Sequence, residues 1–216
     1  WTFVRLAGGS VMSFVVFAVL ARLLTPADFG LFALALLCVG LIRAVAFLSL
    51  HEAVVQAKEI DEPTADSAFW AGLGMGSLAG LAVFLAAPSY AALAGEPKAA
   101  GPVQALALLL PLAAAGMIHT ARKLREFGHR AIAVRHLVGN LIGGAAGLAA
   151  AYAGLGVWAL VIQQVVAELA MTVAAWRAYP WMPKLRFAPS RLSGLLRFGG
   201  PLSLSSAPGS SCRLRQ

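Results

Sequence analysis

The chain has 216 residues, of which 60% are apolar and 12% charged, about half the charged fraction of an ordinary soluble domain. That composition excludes a water-soluble globule of the usual kind. The net charge is +8, from 17 Lys and Arg against 9 Asp and Glu, and its placement along the chain decides whether it points to nucleic acid or to something else.

A membrane-spanning helix needs about 20 consecutive, mostly apolar residues. Six stretches meet that length: 2–24, 30–50, 67–88, 102–120, 137–154 and 156–176. A seventh begins near Leu195. The fold expected is therefore all-α, a polytopic transmembrane helical bundle of about six spans plus the start of a seventh. The first stretch has Arg5 ahead of an apolar run from Val11 to Leu20, a pattern shared with secretory signals. No small-x-small site closes that run, so an uncleaved first helix is expected.

Between the first and second spans lies an elbow, Ala21–Ala35 (ARLLTPADFGLFALA). Thr25 suits a helix N-cap, and Pro26 suits the first helical position because it has no N–H to lose. Asp28, three residues after Thr25, answers the cap and faces the positive end of the helix dipole. Gly30 allows close packing or a bend. Phe29 and Phe32 sit at the depth where a chain re-enters lipid, and Arg22 snorkels on the approach.

The third span carries Gly72, Gly76 and Gly80, and the fifth Gly139, Gly143 and Gly147. Each set lines one helix face with little more than backbone and lets a neighbour approach closely. Pro88 and Pro111 are the positions at which membrane helices kink. Only the loops 51–66, 121–136 and 177–194 are long, which leaves no room for a soluble domain. The last twelve residues, SSAPGSSCRLRQ, abandon the apolar pattern. The chain thus divides into a six-helix transmembrane lobe at 1–176, a basic cytoplasmic loop at 177–194, and at 195–216 the start of a seventh span with an altered or truncated tail. Cys38 and Cys212 fit neither a disulfide framework nor a metal spacing.

With the N-terminus in the cytoplasm, twelve basic residues fall on the inner side, among them Arg5, Lys58 and the clusters at 122–135 and 177–197, while Arg22 and Lys98 alone fall outside. The positive-inside rule favours this orientation, in a cell inner membrane. A topology signal that also touches anionic lipid explains the basic clusters better than nucleic acid does. Trp176, Tyr179 and Trp181 read as interfacial anchors.

Four stretches, taken in order, carry a family likeness: the elbow, Ala53–Asp61 (AVVQAKEID), Phe69–Gly76 (FWAGLGMG) and Gly156–Gln164 (GVWALVIQQ). Together they resemble the bacterial polysaccharide transporters, the lipid-linked oligosaccharide flippases of the multidrug/oligosaccharidyl-lipid/polysaccharide exporter superfamily, over most of residues 1–200. The resemblance implies two bundles of six helices, alternating access, and a lipid-diphosphate-linked sugar as cargo. This chain corresponds to the N-terminal bundle, a half transporter that is either a truncated sequence or one needing a partner lobe missing from this chain.

Two ionisable residues fall well inside spans, Arg43 in the second and Glu168 in the sixth. Arg43 is 13 residues from Gly30 and Glu168 is 12 from Gly156, so both lie roughly 18–20 Å below the same ends of their helices. Charges in hydrocarbon face a partner or a water-filled cavity. Either Arg43 and Glu168 pair and fix helix register, or Arg43 offers its fork to a diphosphate, which guanidinium geometry suits. Gln163 and Gln164 either bind sugar hydroxyls or bond to neighbouring helices. These four are the candidate substrate-binding residues. His119, near the inner end of the fourth span, is given no proton-relay role.

A cation-coupled drug exporter of the same superfamily would need acidic residues in the cavity, and Glu168 is the one candidate. A membrane glycosyltransferase or polymerase would need paired acids at a membrane face. The acid-rich stretch 51–66 (Glu52, Glu59, Asp61, Glu62, Asp66) matches the transporter motif better than a catalytic constellation. No metal-ligand cluster, nucleotide-binding glycine loop or nucleophile–base spacing stands in the sequence, so neither catalysis nor a cofactor is expected.

Overall fold

A computed structural model describes residues 14–56, 61–125, 129–179 and 181–184. Among them the chain is helical throughout. In order run α1 (Phe14–Leu23), α2 (Pro26–Gln56), α3 (Glu62–Leu93), a short 3-10 turn at Pro97–Ala99, α4 (Ala100–Leu106), α5 (Leu109–Arg125), α6 (His129–Tyr152) and α7 (Val157–Ala178).

The turn between α1 and α2 is the capping box read from the sequence. The Thr25 hydroxyl and backbone N–H donate to Asp28 Oδ2 at 2.6 and 3.0 Å, and the Asp28 N–H donates back to Thr25 Oγ1 at 3.3 Å. Two more turns come to the same end, and Asp28, Glu96, Lys98 and Gly154–Trp158 line one open cleft there. We call this the elbow end. At the opposite, basic end lie Glu62, Asp66, Arg122 and the segment Tyr179–Lys184. The helices therefore run alternately between two ends.

By length and composition four segments suffice to cross a membrane: Pro26–Ala46, Glu62–Leu93, Pro97–Arg122 and Val157–Ala178. The expectation of about six spans and the start of a seventh is corrected to that extent, for identifiable reasons. The helix of the first span is described only from Phe14 and is short. α6 is long enough at 24 residues, but Arg135, His136, Asn140 and its glycines dilute its apolar character. The proposed start of a seventh span near Leu195, the tail, and most of the loop 177–194 lie outside the described residues. The loops 51–66 and 121–136 are also shorter than expected. α2 runs to Gln56 and α3 starts at Glu62, while α5 runs to Arg125 and α6 starts at His129. Isolated charges did not end the helices.

The two prolines act differently. Pro88 lies inside an unbroken α3. The carbonyl it leaves without an N–H, that of Phe84 four residues earlier, accepts a bond from the Gln104 side chain at 3.4 Å. Pro111 does interrupt its span: the chain leaves α4 at Ala107–Leu108 and re-enters helix at Leu109. The Ala107 carbonyl, deprived of the Pro111 N–H, takes that of Leu110 at 3.2 Å.

Packing is by small side chains. Ala35, Ala65, Ala68, Ala87, Ala107, Ala114 and Ala121 are buried in one cluster joining α2 to α5. A second cluster sets Val16 and Leu20 of α1, with Leu24 just beyond it, on Ala150, Ala151, Ala159 and Leu160 of the α6–α7 pair. Such close-backbone contact replaces hydrophobic expulsion where lipid is the solvent. The glycine faces take part as their spacing predicts. A Cβ on Gly143 would lie 2.6 Å from that of Ala167, one on Gly147 2.7 Å from Gln163 Cβ, and one on Gly80 3.1 Å from the Ala107 carbonyl. Outward, Val45, Leu78 and Leu93 are at least 70% exposed, which suits hydrocarbon and not water.

Candidate functional site

Arg43 lies about midway along α2, and Glu168 lies eleven residues into α7. The structure brings them together. Arg43 donates from its two terminal nitrogens to the two carboxylate oxygens of Glu168, at 3.2 and 3.3 Å. The fork-to-fork geometry is the strong form of such a pair. Its two members differ in access: the Glu168 side chain is 5% exposed and that of Arg43 41%. The carboxylate is therefore held in the interior, while the Arg43 side chain is partly exposed. Of the two alternatives in the sequence, the geometry shows the pair across the bundle.

A third charge belongs to this group. Arg135, placed in a loop by the sequence reading, is in the second turn of α6. One of its terminal nitrogens donates to the Thr120 hydroxyl of α5. Its Nε is buried without a hydrogen-bond partner among the described residues. Sequence reasoning counted Arg135 as a topology signal. The helical spacing of Arg135, Gly139, Gly143 and Gly147, four residues apart on one face, was the sign that could have found it.

The same α6 face fixes Gln163. Its side chain lies over Gly147, in the seam between α6 and α7, so its position is that of a helix-packing residue. Gln164 is half-buried beside it on α7. One turn below Glu168, Thr172 donates to the Leu112 carbonyl at 3.1 Å, and Trp176 Nε1 donates to the Ala115 carbonyl at 2.9 Å. These bonds tie the helix of Glu168 to α5.

At the basic end, His119 is wholly buried. Its ring stacks on Trp176 at 4.5 Å and meets Trp181 at 5.5 Å. Its Nε2 lies 3.1 Å from the Trp181 carbonyl, so that nitrogen carries the proton. Arg122 sits 4.9 Å from the Trp181 ring centre. Trp176 and Trp181, expected as lipid anchors, thus pack on protein. The segment they belong to is tied further along: Trp70 donates to the Lys184 carbonyl at 3.0 Å, the Lys184 N–H donates to Asp66 Oδ1 at 3.1 Å, and Lys184 Nζ pairs with Glu62 at 3.4 Å. Two acids of the 51–66 stretch therefore hold a strap across the ends of α3 and α5. Among the described residues no group of three or more His, Cys, Asp or Glu is placed to hold a metal ion.

Comparison with known proteins agrees with the motifs. Residues 19–208 match the family described as polysaccharide biosynthesis protein, and the chain belongs to that family. It is 29% identical over 198 residues to the succinoglycan biosynthesis transport protein ExoT of Rhizobium meliloti, an alignment covering 92% of this chain and 40% of that protein. The chain thus spans well under half the length of this curated relative. No solved structure matches it. Its family and its long apolar helices together make it a membrane protein.

Proposed function

We propose that this chain is one lobe of a transporter that moves lipid-diphosphate-linked oligosaccharide or polysaccharide repeat units across the cell inner membrane by alternating access. The process served would be O-antigen, exopolysaccharide or capsule biosynthesis. The observation that carries the proposal is the half-exposed Arg43 side chain, set against Glu168 between membrane helices in a member of this family. A fork of N–H donors held in a low-dielectric setting suits the two phosphates that such a cargo carries.

In this reading α1 and α6 cross the bilayer beside the four helices that qualify on composition, and a second lobe closes the cavity over Arg43. The basic end faces the cytoplasm, with the N-terminus on the same side. That orientation rests on the excess of Lys and Arg at that end. Lipid is the surrounding solvent, the lipid-linked sugar is the cargo, and no nucleic acid is involved. The role is transport and not catalysis.

A cation-coupled drug exporter is less well supported, because its one acidic candidate, Glu168, is already occupied by Arg43. The test is translocation of the lipid-linked sugar by Arg43→Gln in the assembled transporter, with membrane level measured in parallel. Loss of transport at a normal protein level is expected. Restoration by the charge exchange Arg43→Glu with Glu168→Arg would overturn the substrate-binding role and leave a structural pair.

A further inference from the structure

We infer that Glu168 is a resident counter-ion that a diphosphate displaces from Arg43, and that Arg135 receives the released carboxylate. This rests on the reading of Arg43 as the cargo's phosphate contact, and it deepens that reading by naming how the site is held when empty and how it is made ready.

The argument is one of charge accounting in a place where charge is costly. Arg43 and Glu168 cancel, so the closed pair has little attraction for a dianion. A cargo that takes over the guanidinium fork would leave Glu168, 5% exposed, as a buried carboxylate without a partner, and that arrangement is strongly unfavourable. A second cation on the neighbouring helix removes the difficulty. Arg135 is that cation: it stands on the face of α6 whose Gly139 and Gly143 lie against Ala167, the residue next to Glu168 on α7. Its Nε, buried and unpaired among the described residues, is a donor with nothing yet to bond. The Thr120 hydroxyl holds the other end of its guanidinium in place.

The cluster of Arg43, Arg135 and Glu168 carries a net charge of +1 when empty, by the formal charges of its members. It would therefore draw an anion while remaining internally satisfied before and after binding. His136, the next residue on α6, does not supply a planar fork. The ligand chemistry is that of a diphosphate, whether a lipid headgroup or the free anion.

Binding to the full chain in lipid nanodiscs tests the handover, with inorganic diphosphate as one probe and a polyprenyl diphosphate incorporated in the nanodisc as the other. Glu168→Gln removes the competitor and is expected to tighten binding about tenfold, the size of coupling found between residues in one charge network. Arg135→Gln is expected to weaken binding by about tenfold when Glu168 is present, and by less than about twofold in the Glu168→Gln background. Coupling with the lipid probe alone identifies the headgroup as the ligand. Coupling with both probes identifies the diphosphate itself.

Equal weakening by Arg135→Gln in both backgrounds, or weaker binding by Glu168→Gln, overturns the handover. Arg135→Lys keeps the charge without the fork. Should Arg135→Gln not fold, this variant reads the same dependence on Glu168. Unchanged affinity in Arg43→Gln would instead remove the underlying site, a result distinguishable from failure of the handover alone.

Discussion

Gly143 and Ala167 face each other so closely across α6 and α7 that a Cβ on the glycine would fall 2.6 Å from that of the alanine. Real Cβ atoms do not approach to that distance. Gly143→Val should therefore separate the two helices, at a cost of about 1–3 kcal/mol or more for overpacking. Thermal unfolding in detergent, followed by size-exclusion, measures the loss. Gly74 meets nothing within 4 Å, and Gly74→Ala is expected to be neutral or stabilising by up to about 1 kcal/mol through helix propensity.

Asp28 Oδ2 is bonded twice by Thr25. Asp28→Ala removes the reciprocal cap and should lower stability by about 0.5–2 kcal/mol. Asp28→Asn, which keeps an acceptor, should lose less. An equal loss in the two variants, measured by unfolding in detergent, would show that charge and not the cap is what matters.

The Phe84 carbonyl, stranded by Pro88, depends on Gln104. Gln104→Leu should cost about 0.5–1.5 kcal/mol, the net worth of an ordinary hydrogen bond. In the Pro88→Ala background, where a helix N–H returns to that carbonyl, the same substitution should cost much less. Additive losses in the double variant would exclude this division of labour.

The strap Tyr179–Lys184 should be released by breaking either of two ties. Trp181→Ala empties the space beside His119. Asp66→Ala removes the acceptor for the Lys184 N–H, whereas Asp66→Asn retains it. Limited proteolysis between residues 178 and 184 is expected to speed up in Trp181→Ala and Asp66→Ala and to stay near the wild-type rate in Asp66→Asn.

Single cysteines at Pro97 and Arg125, on the two sides of α4–α5, should react with impermeant reagent from opposite sides of the membrane, Pro97 from outside the cell. Labelling of both from one side would refute the proposed topology.

Much of this was legible in the chain. The capping box, the glycine faces and the common depth of Arg43 and Glu168 follow from short-range spacing, because helix geometry converts residue number directly into height and facing. Three features were not. Arg135 was assigned to a loop because charge was read as an end to a span, yet a helix continues through isolated charges when its neighbours are good helix formers. His119 looked unremarkable because its partners, Trp176 and Trp181, come from a segment some sixty residues away. The partial exposure of Arg43 depends on which helices leave α2 uncovered, and no local pattern encodes that.

The opening at Ala107–Leu108 has a mechanical consequence. An unbroken rod must rupture its own ladder before it can flex, but here the ladder is already interrupted, beside the close approach of Gly80. The basic-side half, α5, is fastened to α7 through Thr172 and Trp176, whereas the elbow-side half is short and ends in a turn. Distances between spin labels at Lys98 and Arg177 would broaden if the shorter half swings. A post that already contains its joint bends there first, so the elbow end is expected to tilt while the basic end stays still.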